Sequence, residues 1–451
     1  MTEAEPTNQR DADMTTGDAR IGSYRGIFHT AIPLGMEQLL QHIVTPIYLY
    51  IIMHMANPEI ESGALFSYMT PVFTVISAPI SSLNTLANVY AVHAANIIQL
   101  RRYAFILGSA ASLLAVLFAF SPLGDLLFKT IMGVPEKEYR STILAFQIAI
   151  PLPFLWSLRQ LAMGVLIRTG HAWTVLTGRV IRVVLSVGIF LVASSISQLP
   201  GAPLGAACLV LGLLAQTGFL VFFAIAARHQ LARKPIQKTS TNFRELARVG
   251  IPLTLTPLIL SVVPFLLSAS LGRLPGIVLS LATWPIVYSL SGLTLCFGNA
   301  LSQTSIVHGI DQPSRSRLWR IFIVTGFLMM GLNVLLLSTD VYRWVFESID
   351  ALDPATTRIT DHVMWLLTPW FFIYTVTGYY SGLLAKMHIT RPGMTAALIK
   401  LGLITALFGW AITVDPITGV YVAALASVLG AVTVMLWIRR AYHIALPDPV
   451  D

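Results

Sequence analysis

The stretch Ile27–Met55, IFHTAIPLGMEQLLQHIVTPIYLYIIMHM, decides how this chain is read. It is long enough to cross a bilayer, for which about 20 apolar residues suffice. Its middle nevertheless holds Glu37, Gln38, Gln41 and His42. Helical rise from the start of the span puts Glu37 about 15 Å deep. Glu37 and Gln41 share one face, as do Gln38 and His42, so the helix carries a polar stripe that cannot face lipid. Such a helix needs partners, and the rest of the chain has to supply them.

Composition agrees with that demand. The chain has 451 residues, 55% hydrophobic and only 11% charged, with a mean hydropathy of +0.73. A soluble enzyme has about a quarter of its residues charged, so the chain reads as an all-α polytopic membrane protein. A window of about 19 residues places spans at Ile27–Met55, Gly63–His93, Tyr103–Phe128, Thr142–Ile167, Ala172–Ile196 and Leu204–Ala227. Six more follow at Leu246–Leu271, Ile277–His308, Leu318–Leu337, Val363–Ala385, Met394–Ile412 and Val420–Trp437, twelve in all.

The net charge of +8 lies mostly in the loops beside these spans, where topology accounts for it, and no nucleic-acid partner is expected. With the N-terminus inside, the inner segments hold 19 Lys and Arg against 6 outside. The positive-inside rule then puts both termini in the cytoplasm of a plasma or inner membrane. Residues 1–24 are polar, without the apolar core of a signal peptide, and read as a disordered cytoplasmic tail. Cys208 and Cys296 sit in apolar runs without metal spacing, and no redox or ligand role is assigned to them.

The chain divides in two. The basic segment 229–245 separates a six-helix lobe, 25–228, from a second, 246–442, and 443–451 forms a cytoplasmic tail. Ile32-Pro33-Leu34-Gly35 opens the first span and Ile251-Pro252-Leu253-Thr254 the seventh, 219 residues on. At a shift of 218, Pro151 falls on Pro369, Gly164 on Gly382, Arg168 on Lys386 and Arg182 on Lys400. Pro71 meets Pro285 at a nearly equal shift, and His93 and His308 close the same two spans. An even number of spans per half makes the repeats parallel, related by an axis along the membrane normal. Prolines inside spans one and seven (Pro33, Pro46, Pro252, Pro257 and Pro264) bend helices at matching places. That is compatible with kinked packing or with helices that open and close a cleft between lobes.

Intramembrane ionisable groups are costly and therefore candidates for function. Besides Glu37 and Gln41 these are Arg159 in span four, Arg179 and Arg182 on one face of span five, and Lys400 in span eleven. Asn84 and Asn88 lie one turn apart in span two, and Asn299 and Gln303 do likewise in span eight. Glu37 reads either as a buried salt bridge to Arg159 or Arg182, or as an ion-coupling carboxylate. One carboxylate cannot neutralise four cations, so Arg159, Arg179, Arg182 and Lys400, with the four amides, are assigned to an anionic substrate. No phosphate loop, zinc-protease, hydrolase or potassium-filter motif occurs, so no enzyme activity and no cofactor is expected. Glu59-Ile60-Glu61 only faintly resembles the acidic pair of membrane glycosyltransferases.

The Ile-Pro-Leu-Gly opening, its echo at Ile251, and the glycine-then-basic ends of spans four and ten resemble the multidrug/oligosaccharidyl-lipid/polysaccharide (MOP) exporter superfamily. Phe154-Leu155-Trp156 through Gly164, and Trp284-Pro285 through Gly298, resemble its progressive ankylosis (ANK) branch, with the MATE branch close behind. The resemblance implies a monomeric secondary exporter working by alternating access. It also implies ion coupling, H+ or Na+, at an acidic residue of the first span, where Glu37 stands. The ANK branch implies small polyvalent anions as cargo. A flippase for lipid-linked phosphates or sugars and a MATE-type multidrug antiporter are the alternatives.

Overall fold

The computed structural model describes residues 22–55, 63–196, 200–232, 242–271, 277–339, 341–343, 354–414 and 418–446. Most of the expected tails and basic linker, and the Glu59-Ile60-Glu61 loop, lie outside these ranges. Within them the chain is helical without strands. The long helices are α1 (Tyr24–Met53), α2 (Thr70–Tyr90), α3 (Ala94–Phe120), α4 (Glu136–Ile148), α5 (Leu152–Arg168), α6 (Ala172–Ile196) and α7 (Gly201–Ala232). The second half holds α8 (Phe243–Leu271), α9 (Ile277–His308), α10 (Gln312–Ser338), α11 (Pro354–Lys386), α12 (Arg391–Val414) and α13 (Gly419–Ala445).

The bundle holds the expected twelve spans in two lobes, one span being the pair α4 and α5. These two meet at a bend of 43°. Pro151 and Pro153 stand at the break, where each removes a backbone donor. Span two begins as a π-helical turn, Gly63–Met69, that passes into α2 just before Pro71. Span three starts earlier than the sequence suggested, at Ala94, so Arg101 and Arg102 lie within its first turns.

Among the described residues, eight helices are long and apolar enough to cross a membrane, nine with the bent pair. Their outer faces are apolar and exposed: Phe120 at 67%, Phe222 at 68% and Val324 at 63%. Water would penalise such a surface, whereas lipid accepts it. Two of these ends are capped by short side chains. Ser23 accepts a hydrogen bond from the Gly26 N–H at the start of α1, and Asp311 accepts from the Ser314 N–H at the start of α10. Hydrogen bonds from Ser314 hold the Asp311 carboxyl below its ordinary value.

The buried apolar residues follow the two lobes, and the lobes touch along two seams. One core is built from the C-terminal half alone, from Val263 to Ala431. Another adds Ile27 and Ala31 of α1 to residues of α9, α10 and α11, and a third joins Leu34 to Ala300 and Val307. Thus α1 packs along α9, and α2 packs along α8. The internal repeat is visible in backbone contacts. A Cβ on Gly164 of α5 would stand 2.5 Å from the Asn84 carbonyl of α2, and one on Gly382 of α11 would stand 2.5 Å from the Ser302 carbonyl of α9. Only glycine lets these helices approach so closely.

Candidate functional site

In the N-terminal lobe α1, α5 and α6 bring three charges together without access to solvent. Glu37 is 0% exposed, Arg159 and Arg179 each 1%. Oε1 of Glu37 accepts hydrogen bonds from Arg159 Nη2 at 2.6 Å and from Arg179 Nε at 2.8 Å, and Arg179 Nη2 also reaches it. Gln38 Nε2 donates to the second oxygen at 2.9 Å, and Arg179 Nη2 donates to Gln41 Oε1 at 2.9 Å. The polar stripe of α1 therefore faces α5 and α6. Two guanidiniums on one carboxylate leave a net positive charge where the low dielectric strengthens every interaction.

Arg182 adds a further cation. It lies on α6, three residues beyond Arg179, and its Nη1 is buried without a hydrogen-bond partner among the described residues. Its guanidinium stands 5.8 Å from the centre of the Trp156 ring, and that of Arg159 stands 5.3 Å from the same ring. Trp156 thus serves two cations. The stem of Arg182 runs past Gly212 of α7, where a Cβ would stand 3.4 Å from Arg182 Cγ.

Lys400 is elsewhere. It is half-buried on α12 and lines a cavity of about 290 Å³ in the C-terminal lobe, between α8, α9, α11, α12 and α13. Among the described residues it has no acidic or hydrogen-bonding partner. Its stem runs past Gly430 of α13, where a Cβ would stand 3.0 Å from Lys400 Cγ. The shift of 218 that carries Arg182 to Lys400 also carries Gly212 to Gly430 and Trp156 to Tyr374, which lines the cavity. Both lobes therefore place a cation beside a glycine of their last helix, with an aromatic residue at matching positions. The glycine partners were missed from sequence, although the same shift would have found them.

The four amides divide. Asn299 lines the C-terminal cavity and accepts from the Tyr374 hydroxyl at 2.7 Å. Asn88 Nδ2 donates across the lobes to the Gln303 carbonyl at 3.1 Å and to Gln303 Oε1 at 3.2 Å, and Gln303 Nε2 donates to Thr85 Oγ1 at 2.9 Å. Asn84 is buried nearby on α2, its Oδ1 without a partner among the described residues. Asn88 and Gln303 thus sit where α2 meets α9, near the end of the bundle at which α1 begins, whereas Asn84 lies where α2 meets α5. Further contacts close the lobes at that end. His308 bridges the Gly22 N–H and the Thr30 hydroxyl, Tyr103 and Ser82 share Thr254, and Tyr90 stacks on His388 at 4.7 Å. Cys208 and Cys296 are buried thiols.

Solved structures share this fold. An outward-facing multidrug resistance MATE family transporter of the MOP superfamily superposes with a TM-score of 0.74 over 94% of this chain and 96% of its own, at 14% identity. The chain has the MATE transporter fold. A MOP superfamily transporter from Pyrococcus furiosus Vc1, described as having a binding pocket of reverse polarity, gives a TM-score of 0.72 over 94% of this chain and 96% of its own, also at 14% identity. A MATE structure in the bent conformation gives 0.71 over 93% and 95%, at 14% identity. No protein-family model and no curated protein matches the sequence.

Proposed function

We propose that this chain is a secondary transporter that moves a small organic or phosphate-bearing anion by alternating access, with its lobes at 25–228 and 246–442 rocking about the seams between α1 and α9 and between α2 and α8. The observation that carries the anion is the charge balance of the interior. Glu37 is shared by Arg159 and Arg179, and among the described residues Arg182 has a buried N–H without an acceptor and Lys400 has no acid beside it. A bilayer interior tolerates such a surplus only where counter-charge is available.

Glu37 and Gln41 are the coupling groups in this reading. An anion that binds Arg182 and competes for Arg179 frees Glu37, which then takes up a proton or a sodium ion. The hydrogen bonds of His308, Thr254 and Asn88 and the stacking of Tyr90 on His388 join the lobes at the end where α1 begins, taken as the cytoplasmic side with both termini. Monomeric function follows from one complete pair of lobes per chain.

A second reading, extrusion of cationic drugs, is favoured by Trp156 and Tyr374 and by the multidrug description of a fold neighbour. It requires acidic groups to dominate the site, whereas Glu37 stands against two arginines. A lipid flippase would need a lateral opening between α1 and α9. At mid-depth these helices touch, with a Cβ on Gly35 2.5 Å from the Phe297 ring and one on Gly292 2.8 Å from the His42 ring.

The test is uptake into liposomes reconstituted with the protein, using a monocarboxylate, citrate, pyrophosphate, a nucleotide and a cationic dye, each under an imposed proton or sodium gradient. Gradient-driven uptake of anions supports the proposal. Movement of the dye alone overturns it.

A further inference from the structure

Resting on the reading of the chain as an anion carrier, we propose that the cavity of the C-terminal lobe is a binding site for a singly charged organic acid with an apolar or aromatic body. The two lobes carry copies of one site, and the copies have diverged. In the N-terminal lobe the charges of Arg159 and Arg179 are met by Glu37. Moved on by 218 residues, those arginines become Thr377 and Ala397. Glu37, moved by the 219 of the Ile-Pro motifs, becomes Thr256. All three replacements line the cavity, so its space lies where the triad of the other lobe is filled with long charged side chains.

One cation of the set survives, at the position of Arg182. Lys400 has no acidic or hydrogen-bonding partner among the described residues, and Gly430 leaves its stem room to lie against α13. A carboxylate bound to it meets one positive charge, and the hydroxyls of Thr256 and Thr377, which donate to the Pro252 and Ile373 carbonyls at 2.8 and 2.7 Å, rotate on binding to give their protons to the second oxygen. The rest of the wall is mostly apolar and holds Trp370 and Tyr374. The indole N–H of Trp370 is buried without an acceptor among the described residues.

The charge count sets the class. A single ammonium neutralises a single anion, and any further negative charge would be buried without a partner. Pyrophosphate, citrate and nucleotides carry such further charges, and the arginines that could meet them are in the other lobe, where Arg159 and Arg179 are held by Glu37. The small size of the cavity, about 290 Å³, and its aromatic wall instead suit a compact acid with a ring or short hydrocarbon body.

Titration calorimetry on the full-length purified protein tests this with benzoate as the probe and citrate and pyrophosphate as competitors. Benzoate should bind at one site, at least about tenfold more tightly than either polyvalent anion. Lys400→Gln should abolish that binding and Lys400→Arg should retain it, with thermal melting of each variant confirming the fold. Should Lys400→Gln fail to fold, the order of affinities in the unmodified protein still decides. If citrate or pyrophosphate binds more tightly and displaces benzoate, the singly charged class is overturned while the anion reading stands. If benzoate binds undiminished to Lys400→Gln, the cavity assignment is overturned. If none of the three anions binds, both the inference and the anion reading fall.

Discussion

Gly430 on α13 lies against the stem of Lys400 on α12, so that a Cβ at this position would stand 3.0 Å from Lys400 Cγ and 3.3 Å from its Cε. A lysine stem is flexible enough to yield to one methyl group, but not to a branched side chain. Gly430→Val should therefore push the ammonium from its place in the cavity and weaken anion binding by about tenfold, a loss of about 1.4 kcal/mol. Gly430→Ala should leave it nearly unchanged. Calorimetry with benzoate on both variants checks the order. Equal affinities would mean that the position of Lys400 does not govern binding.

Glu37 holds two buried guanidiniums, and removing its charge leaves both without a counter-ion. Breaking a buried ion pair in this way costs roughly 3–5 kcal/mol, so Glu37→Gln should lower the melting temperature markedly. Glu37→Gln combined with Arg179→Gln should recover part of the loss, because one of the stranded charges goes with it. In liposomes Glu37→Gln should also lose dependence on the imposed gradient. Gradient-dependent uptake at the unmodified rate would remove Glu37 from the coupling role, whatever its effect on stability.

Much of the architecture was legible because membrane helices advertise themselves through hydropathy, and because the repeat left residue pairs at a constant shift. Gly164 and Gly382 fell at that shift, and the structure shows why glycine is needed at both: each lets its helix meet the backbone of a neighbour. The polar stripe of α1 was legible for the same reason, since Glu37 at mid-depth demands a partner. Which partner was not legible. Spacing along the chain places Arg159, Arg179 and Arg182 at similar depths, but the choice of Arg159 and Arg179 depends on the rotation of α5 and α6 about their own axes. The separation of Lys400 from the arginines was hidden too, because equivalence under the repeat puts a residue in the same place of the other lobe, not beside its counterpart. Asn88 and Gln303 belong to the contact between lobes, a role no pattern within one helix reveals.

The same glycines give a packing test. A methyl group at Gly164 would meet the Asn84 carbonyl and the Ala87 methyl, each at 2.5 Å, and one at Gly382 would meet the Ser302 carbonyl and the Ser305 hydroxyl, each at 2.5 Å. Backbone atoms on the far side cannot give way as a side chain can. Gly164→Ala and Gly382→Ala should each cost about 1–3 kcal/mol, read as lowered melting temperature in the same detergent. A neutral effect at either would show that the helices there are free to separate.

His388 lies between α11 and α12 with a φ of 63°, stacked on Tyr90 at the end of α2. Burial lowers its pKa from the ordinary value of 6.5. The folded chain therefore binds this proton less readily than the unfolded one. Its contribution is intact above pH 6.5 and is lost progressively as pH falls below it. Asn tolerates positive φ, so His388→Asn keeps the turn and removes the titration. The melting temperature of the unmodified protein should fall more steeply on acidification than that of His388→Asn. Parallel curves would exclude the imidazole as the source.

His308, the last residue of α9, ties the start of α1 to the other lobe through both ring nitrogens. The Gly22 N–H donates to Nδ1 at 3.1 Å, which requires Nδ1 to be unprotonated. The Thr30 hydroxyl gives its own proton to the Gly26 carbonyl, so Nε2–H must donate to Thr30 Oγ1, at 3.0 Å. Arg317 Nη1, on α10, completes the latch by donating to the Gly22 carbonyl at 2.7 Å. One neutral tautomer satisfies all of these bonds, and neither an alanine nor a doubly protonated ring can. His308→Ala should release the start of α1 and let the lobes part at that end. The measurement is the distance between spin labels placed on exposed residues at the ends of α3 and α12 nearest the latch, which should shift to a longer and broader distribution in His308→Ala. Asn88→Ala, which removes the neighbouring bonds to Gln303, should add to that shift, because the two latches sit on different helix pairs. An unchanged distance in the double variant would mean that neither the His308 latch nor the bonds of Asn88 to Gln303 hold the lobes together at that end.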